Sequence, residues 1–189
     1  VRKTDHRYTY HEYASWPDEE RWELIEGVAW SMCAAPSPSH QRVLADLNEV
    51  FRAAAKQIGC EVFFAPLDVF LFTHEEEDTD DADTVVQPDL IVVCDESRIT
   101  RRGFLGAPSI VVEILSPYTL TRDLTIKRDL YERSGVTEYW LVDPGNQSVM
   151  IYAADEDHRY PSEPWIVANA GVARSAVLPD ATVELPFRL

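Results

Sequence analysis

Cysteine is scarce. The chain holds three, Cys33, Cys60 and Cys94, widely spaced and each in an apolar, strand-like context. An odd number so spread indicates neither a disulfide framework nor a Cys-based zinc site, so each is expected as a small buried hydrophobe. Basic residues are few as well: 17 Lys and Arg against 33 Asp and Glu leave a formal net charge of -16. That balance counts against a protein that grips nucleic acid by bulk electrostatics, because phosphate binding rests on Lys and Arg. No apolar run approaches the ~20 residues needed to span a bilayer. The opening VRKTDHRYTYHEY lacks the basic-then-apolar pattern of a signal peptide, which makes the expected location cytoplasmic. With no repeat and no linker, one domain over residues 1–189 is expected.

What is present argues for a folded core, since 46% of the residues are hydrophobic and 11% aromatic. The acid excess is partly local. EEEDTDDAD, Glu75 to Asp83, holds seven acids and no base, and the surrounding segment 73–84 is expected as a solvated, flexible loop.

Thr9 and Glu12 form a capping-box pattern opening a short helix that Pro17 ends. RWELIEGVAWSMC reads as a hairpin about Gly27. The strongest helical signal is SPSHQRVLADLNEVFRAAAKQIG: Ser39 is the expected cap, Val43, Leu44, Leu47, Val50, Phe51, Ala54 and Ile58 make an apolar stripe, and Gly59 stops it. CEVFFAPLDVFLF supplies one or two strands. Leu90 to Val93 and Ile110 to Leu115 read as buried strands, and TRDLTIKRDLYERSG as a helix capped by Thr121 and closed at Gly135. TEYWLVDPGNQSVMIYA is a strand, a Pro-Gly-Asn turn and a second strand, and the Pro-punctuated segments beyond Ala154 add at most an edge strand. The expected class is α/β or α+β, a mixed sheet flanked by helices.

Within APSIVVEILSP, Glu113 sits in the middle of an apolar strand. A carboxylate in such a place needs a partner: an arginine, a protonated network or a metal ion. In QPDLIVV, Pro88 belongs at a strand start, so Asp89 lies at the entrance of Leu90 to Val93. If the two strands pair, both carboxylates converge at one edge of the sheet, where a divalent cation with oxygen ligands relieves their repulsion. On a helical wheel of about 100° per residue, Lys127 falls with Leu124, Leu130 and Tyr131 on the apolar stripe and points inward. Asp123, four residues earlier, lies on a neighbouring part of that face. The plainer alternative is a buried ion pair of Glu113 with Lys127 or Arg122, and the residues alone leave both readings open.

RWELIEG, PSPSHQ, QPDLIVV, PSIVVEILSPYT, the Asp123 to Lys127 spacing, LYERSGV and EYWLVDP, from about Thr9 to Tyr152, together resemble the Uma-two type of restriction endonuclease-like proteins, within the PD-(D/E)XK nuclease superfamily. The resemblance implies a restriction-endonuclease-like mixed sheet and a metal-dependent endonuclease that hydrolyses phosphodiester bonds of nucleic acid, DNA foremost. It implies Mg²⁺, with Mn²⁺ able to substitute, held by Asp89, Glu113 and the main-chain carbonyl of Ile114, with Lys127 assisting. The superfamily's usual lysine, two residues after the acid, is replaced here by Leu115, and Lys127 on the following helix is the match. Glu23 and His40 match the family's ELIDG and SPxHQ segments and, with Ser116 and Asp123, are candidate supporting residues; Val28 stands where ELIDG carries an acid after its glycine. A homodimer is a further expectation from the superfamily. Two other readings remain: a nuclease-like scaffold that binds a protein or nucleic acid without cutting, and a hydrolase of smaller nucleotides. Clustering of Arg98, Arg101, Arg102, Arg122, Lys127 and Arg128 on one face would answer the charge objection in part.

Overall fold

Alternation along two apolar strands organises the molecule. A computed structural model describes every residue except 1, 4, 18–20, 33–34 and 189, so the reading of Cys33 lies outside the described residues. The first short strand is β1 (Arg2–Lys3), followed by helix α1 (Tyr10–Tyr13), β2 (Trp22–Ile25), β3 (Val28–Ser31) and helix α2 (Pro38–Gln57). Then come β4 (Glu61–Phe64), β5 (Val69–Phe70), β6 (Val85–Val86), β7 (Leu90–Val93), β8 (Phe104–Leu105) and β9 (Ile110–Ile114). Next is a helical stretch in three pieces: α3 (Leu120–Arg122), a π-helical turn (Asp123–Lys127) and α4 (Arg128–Ser134). Strands β10 (Glu138–Asp143), β11 (Ser148–Ala153), β12 (Trp165–Ala168), β13 (Val172–Arg174) and β14 (Thr182–Glu184) complete the order.

The larger sheet runs β12-β11-β10-β9-β7-β4 and is mixed: β9 and β10 are parallel, while the other neighbours are antiparallel. Side chains on a strand alternate between faces. Ile110, Val112 and Ile114 of β9 therefore join Leu90 and Val92 on one face, under Leu44, Leu47 and Phe51 of α2. Phe51 is fully buried and meets Trp140 edge-to-face at 5.1 Å between ring centroids. Burying each such side chain contributes about 1.5–3 kcal/mol. The other face packs Ile91, Val93 and Val111 against Leu130 and Tyr131 of α4 and against Ile25, Val69 and Val86 of a second sheet, ordered β1-β3-β2-β6-β5-β8. An outer layer of Tyr8, Tyr10, Tyr13 and Trp16 covers that sheet's far side.

The β2–β3 hairpin turns at Glu26 and Gly27, both with positive φ (50° and 72°), the conformation a tight two-residue hairpin demands. The Thr9 N–H donates to Glu12 Oε2 at 3.1 Å, the return half of the expected capping box.

Several local expectations are corrected. Ser37, not Ser39, caps α2: its Oγ accepts from the His40 N–H at 3.2 Å, and Pro38 takes the first helical position, where its missing N–H costs nothing. Ile58 is exposed because the helix stops at Gln57, before its stripe returns to the core. The helix after Glu113 begins at Leu120 instead of after Thr121, with Gly135 closing α4 in the left-handed conformation as expected. The acidic run is not featureless, since Glu76–Asp81 forms a 3₁₀ helix with Thr79 fully buried and Arg102 bonded to Thr79 and Asp80. Cys60 and Cys94 form a disulfide, against the expectation of separate small hydrophobes. They flank the β4–β7 ladder next to the pair Glu61↔Val93, a juxtaposition that depends on strand register and is invisible in their spacing of 34 residues.

Candidate active site

The same alternation delivers the acids. Glu113 shares the β9 face of Val111, which looks away from α2 toward α4. Strands β7 and β9 pair with Leu90 opposite Val112, so one further step sets Asp89 against Glu113. The Asp89 side chain reaches across that step: its Oδ2 accepts from the Ile114 main-chain N–H at 2.7 Å and lies 3.2 Å from His40 Nε2, in the first turn of α2. Convergence of the two carboxylates at the sheet edge is thus a property of the register.

Lys127 arrives from the opposite side. A π turn winds an extra residue into the helix, a local irregularity often found at functional sites. Here it leaves Asp123 and Lys127 both buried. Lys127 is 3% exposed, and its Nζ donates to Glu113 Oε1 and to Glu23 Oε1, each at 2.8 Å, with Asp123 Oδ1 4.0 Å away. Glu23 comes from β2 on the face of Ile25 and also accepts from the Gln87 main-chain N–H at 3.1 Å. The Tyr131 hydroxyl donates to Glu113 Oε1 at 2.9 Å. The ion pair named as the plainer partner for Glu113 is therefore present, within a larger network.

Burial dominates the electrostatics. It pushes the Glu113 carboxyl up to about 8; Lys127 pulls it back, and Asp123, Asp89 and Glu23 push it further up. Burial raises Asp123 as well, against the pull of Lys127 and a hydrogen bond from Thr119. For Lys127, burial works downward, but the carboxylates of Glu113, Glu23 and Asp123 outweigh it and hold the ammonium above the ordinary lysine range. Glu23 Oε2, Asp123 Oδ1, His40 Nδ1 and Arg122 Nε are buried without a hydrogen-bond partner among the described residues.

These groups line a cleft of about 630 Å³ between α2, the end of the larger sheet and the start of α3. Its acids are Glu23, Asp89, Glu113 and Asp123; its lysine and arginines are Arg21, Arg122 and Lys127. Ser116 lines it too, but its hydroxyl is engaged with Thr119 Oγ1 at 3.1 Å, in the turn that ends β9. The basic residues that cluster in sequence do not all gather at the cleft. Arg98 pairs with Asp95, Arg102 with Asp80, and Arg128 with Asp129 and Glu132, all outside the cleft, and Arg101 is not among its lining residues. Two contributors escaped the sequence: Tyr131, which reads as an apolar stripe residue although its hydroxyl lies one turn from Lys127, and Gln87, which acts through its main chain.

The mixed α+β fold has a solved counterpart. The crystal structure described as "a putative nuclease belonging to DUF820" from Anabaena variabilis superposes with a TM-score of 0.71 at 23% identity, covering 94% of both chains, which makes the fold nuclease-like. The chain belongs to the Uma2 family, described as "Putative restriction endonuclease", whose profile matches residues 9–186. A curated relative, the uncharacterized protein slr1290 of Synechocystis, is 24% identical over 161 residues, 84% of this chain and 77% of its own length.

Proposed function

We propose that the protein is a metal-dependent nuclease that hydrolyses phosphodiester bonds, with DNA the leading substrate. The observation that carries this reading is the position of Lys127 Nζ, 2.8 Å from Glu113 on the floor of a cleft whose other wall holds Asp89.

The donor set suits a hard divalent cation. Asp89, Glu113 and the Ile114 main-chain carbonyl are all oxygen ligands. Four carboxylates face two buried or half-buried cations, Lys127 and Arg122, in the depth of the cleft, so an added positive charge is favourable there. Among the described residues no three Asp, Glu, His or Cys side chains are grouped to enclose a metal by themselves. Mg²⁺ habitually takes one or two carboxylates and completes its shell with water and phosphate oxygens, which matches such an open set. A bound Mg²⁺ supplies Lewis-acid polarisation of a phosphate oxygen and a more acidic bound water.

The chain's own groups divide the remaining work. His40 and the Ile114 N–H hold Asp89 in one orientation. Glu23 and Glu113 fix the Lys127 ammonium, keeping it charged and aimed at the carboxylates, where it steadies negative charge that develops on a phosphate or an attacking water. Tyr131 occupies part of the Glu113 oxygen that Lys127 uses, fixing that carboxylate against rotation.

The non-cutting scaffold is favoured by one observation: cations at the cleft are few, and Lys127 is already satisfied by carboxylates. One assay separates the two readings. Purified protein is incubated with DNA, RNA and dinucleotides in Mg²⁺ or Mn²⁺, beside Asp89→Asn and Lys127→Gln. Cleavage by the wild type that both folded variants lose supports the nuclease; no cleavage of any substrate supports the scaffold, and full activity in either variant overturns the role given to that residue.

A further inference from the structure

Resting on the nuclease reading, we infer that Arg122 is a catalytic residue that grips the phosphate being cut. Its side chain is 10% exposed and lines the cleft one residue before the π turn that carries Asp123 and Lys127. A guanidinium has five N–H donors in a fixed plane. Among the described residues this one makes a single hydrogen bond, from Nη1 to the Ser31 carbonyl at 3.3 Å, and a looser contact of 3.5 Å from Nη2 to Glu23 Oε2. Its Nε–H is buried without an acceptor among the described residues.

A buried donor left unsatisfied costs stability, so a largely enclosed arginine with spare donors is poised for an acceptor that the described residues do not supply. Phosphate is the matching acceptor, because its oxygens take two parallel N–H bonds from the planar fork. The location selects the same ligand. Lys127 is locked between two carboxylates, and Arg21 sits at an exposed position with its Nη2 on Gln87 Oε1 at 3.2 Å. Among the described cations of the cleft, Arg122 combines burial and spare donors with a place beside Glu23 and Asp123. Glu23 and Ser31 hold the guanidinium from behind, as an arginine bridging an internal carboxylate to an incoming anion requires.

The test is steady-state cleavage of a DNA substrate in Mg²⁺ as a function of salt, for the wild type, Arg122→Gln and Arg122→Lys, with Mn²⁺ binding and thermal melting recorded for each. Loss of one charged donor to the reacting group is expected to lower kcat/KM by about 10²–10³-fold. Removal of one phosphate contact should flatten the slope of log kcat/KM against log salt by ~0.7 to 0.9, with Mn²⁺ affinity unchanged. Arg122→Lys keeps the charge but not the fork, so it should restore the slope while remaining about tenfold or more slower than the wild type, and it serves if the glutamine variant does not fold. A folded Arg122→Gln whose kcat/KM stays within threefold of wild type, or whose salt slope is unaltered, overturns the assignment and leaves the nuclease reading standing. A wild type that binds Mn²⁺ but cuts no nucleic acid removes both.

Discussion

Lys127 and Glu113, 14 residues apart, meet at 2.8 Å with both side chains almost wholly buried, and Glu23 completes the contact from a strand 104 residues before the lysine. Three distant segments, β2, β9 and the π turn, are thereby tied at one ammonium. The relationship is structural and chemical at once: it holds the helix to the sheet and sets the charge at the base of the cleft.

Removing the lysine should be costly for the fold. Lys127→Met leaves the buried Glu23 carboxylate without its cation and the Glu113 carboxyl without a donor, and breaking a buried pair in this way costs about 3–5 kcal/mol. Urea unfolding at pH 7 should show that loss. Adding Glu23→Gln and Glu113→Gln should recover a large part of it, because the uncompensated charges go with them. A single variant as stable as the wild type would mean that the network contributes nothing.

Stability of the metal-free protein should fall as pH rises. Glu113 ordinarily titrates near 4.5 and is pushed up to about 8 in the fold, so between those values the folded state holds a proton that the unfolded state has released. Stability linked to that proton is complete below about 4.5 and is lost as pH climbs through about 8. Asp123 is shifted in the same direction and adds to the trend. Denaturant melts in EDTA at pH 5, 6, 7 and 8 should show the decline, and Glu113→Gln should make it shallower. An unchanged slope in that variant would assign the dependence to other groups.

His40 should matter to the metal through Asp89. Its Nε2 lies 3.2 Å from Asp89 Oδ2, and partners of a ligating carboxylate typically affect metal affinity by about 10–100-fold when removed. Mn²⁺ titration of His40→Ala should show a weakening in that range with melting little changed. Equal affinity would confine His40 to the start of α2.

Phe51 separates packing from chemistry. It is fully buried on the inner face of α2 and rests on Trp140, so Phe51→Ala should cost about 3–5 kcal/mol. In a chain of this size each kcal/mol lowers Tm by about 2–4 °C. Differential scanning calorimetry should therefore find a drop of roughly 6–20 °C, while Mn²⁺ affinity below the transition stays near that of wild type.

Much of the site was legible because it follows from periodicity. The helical wheel places Lys127 with Leu130 and Tyr131, and all three are buried. The proline before Asp89 and the apolar run around Glu113 predict two strand ends carrying acids, and the β7–β9 register brings them together. Other features depend on three-dimensional neighbours that no local pattern encodes. The π turn keeps the same inward residues as an α-helix, so the stripe does not reveal it. Tyr131 reads as apolar because its ring is, although its hydroxyl bonds Glu113. Ser37 and Ser39 are equally good caps in isolation, and the intervening Pro38 decides between them by preferring the first helical position. The Cys60–Cys94 bond and the dispersal of the arginines are likewise set by which strands and loops become neighbours.

The central claim is that Asp89 and Glu113 together hold a divalent cation. Calorimetric titration of Mn²⁺ into the wild type, Asp89→Asn and Glu113→Gln at pH 8 tests it without any knowledge of the substrate, and the variants discount weak binding by the acidic 3₁₀ segment Glu76–Asp81. The account predicts one site in the wild type that both variants lose. Equal binding in all three proteins, or none in the wild type, would contradict it and leave Glu113 as the structural partner of Lys127.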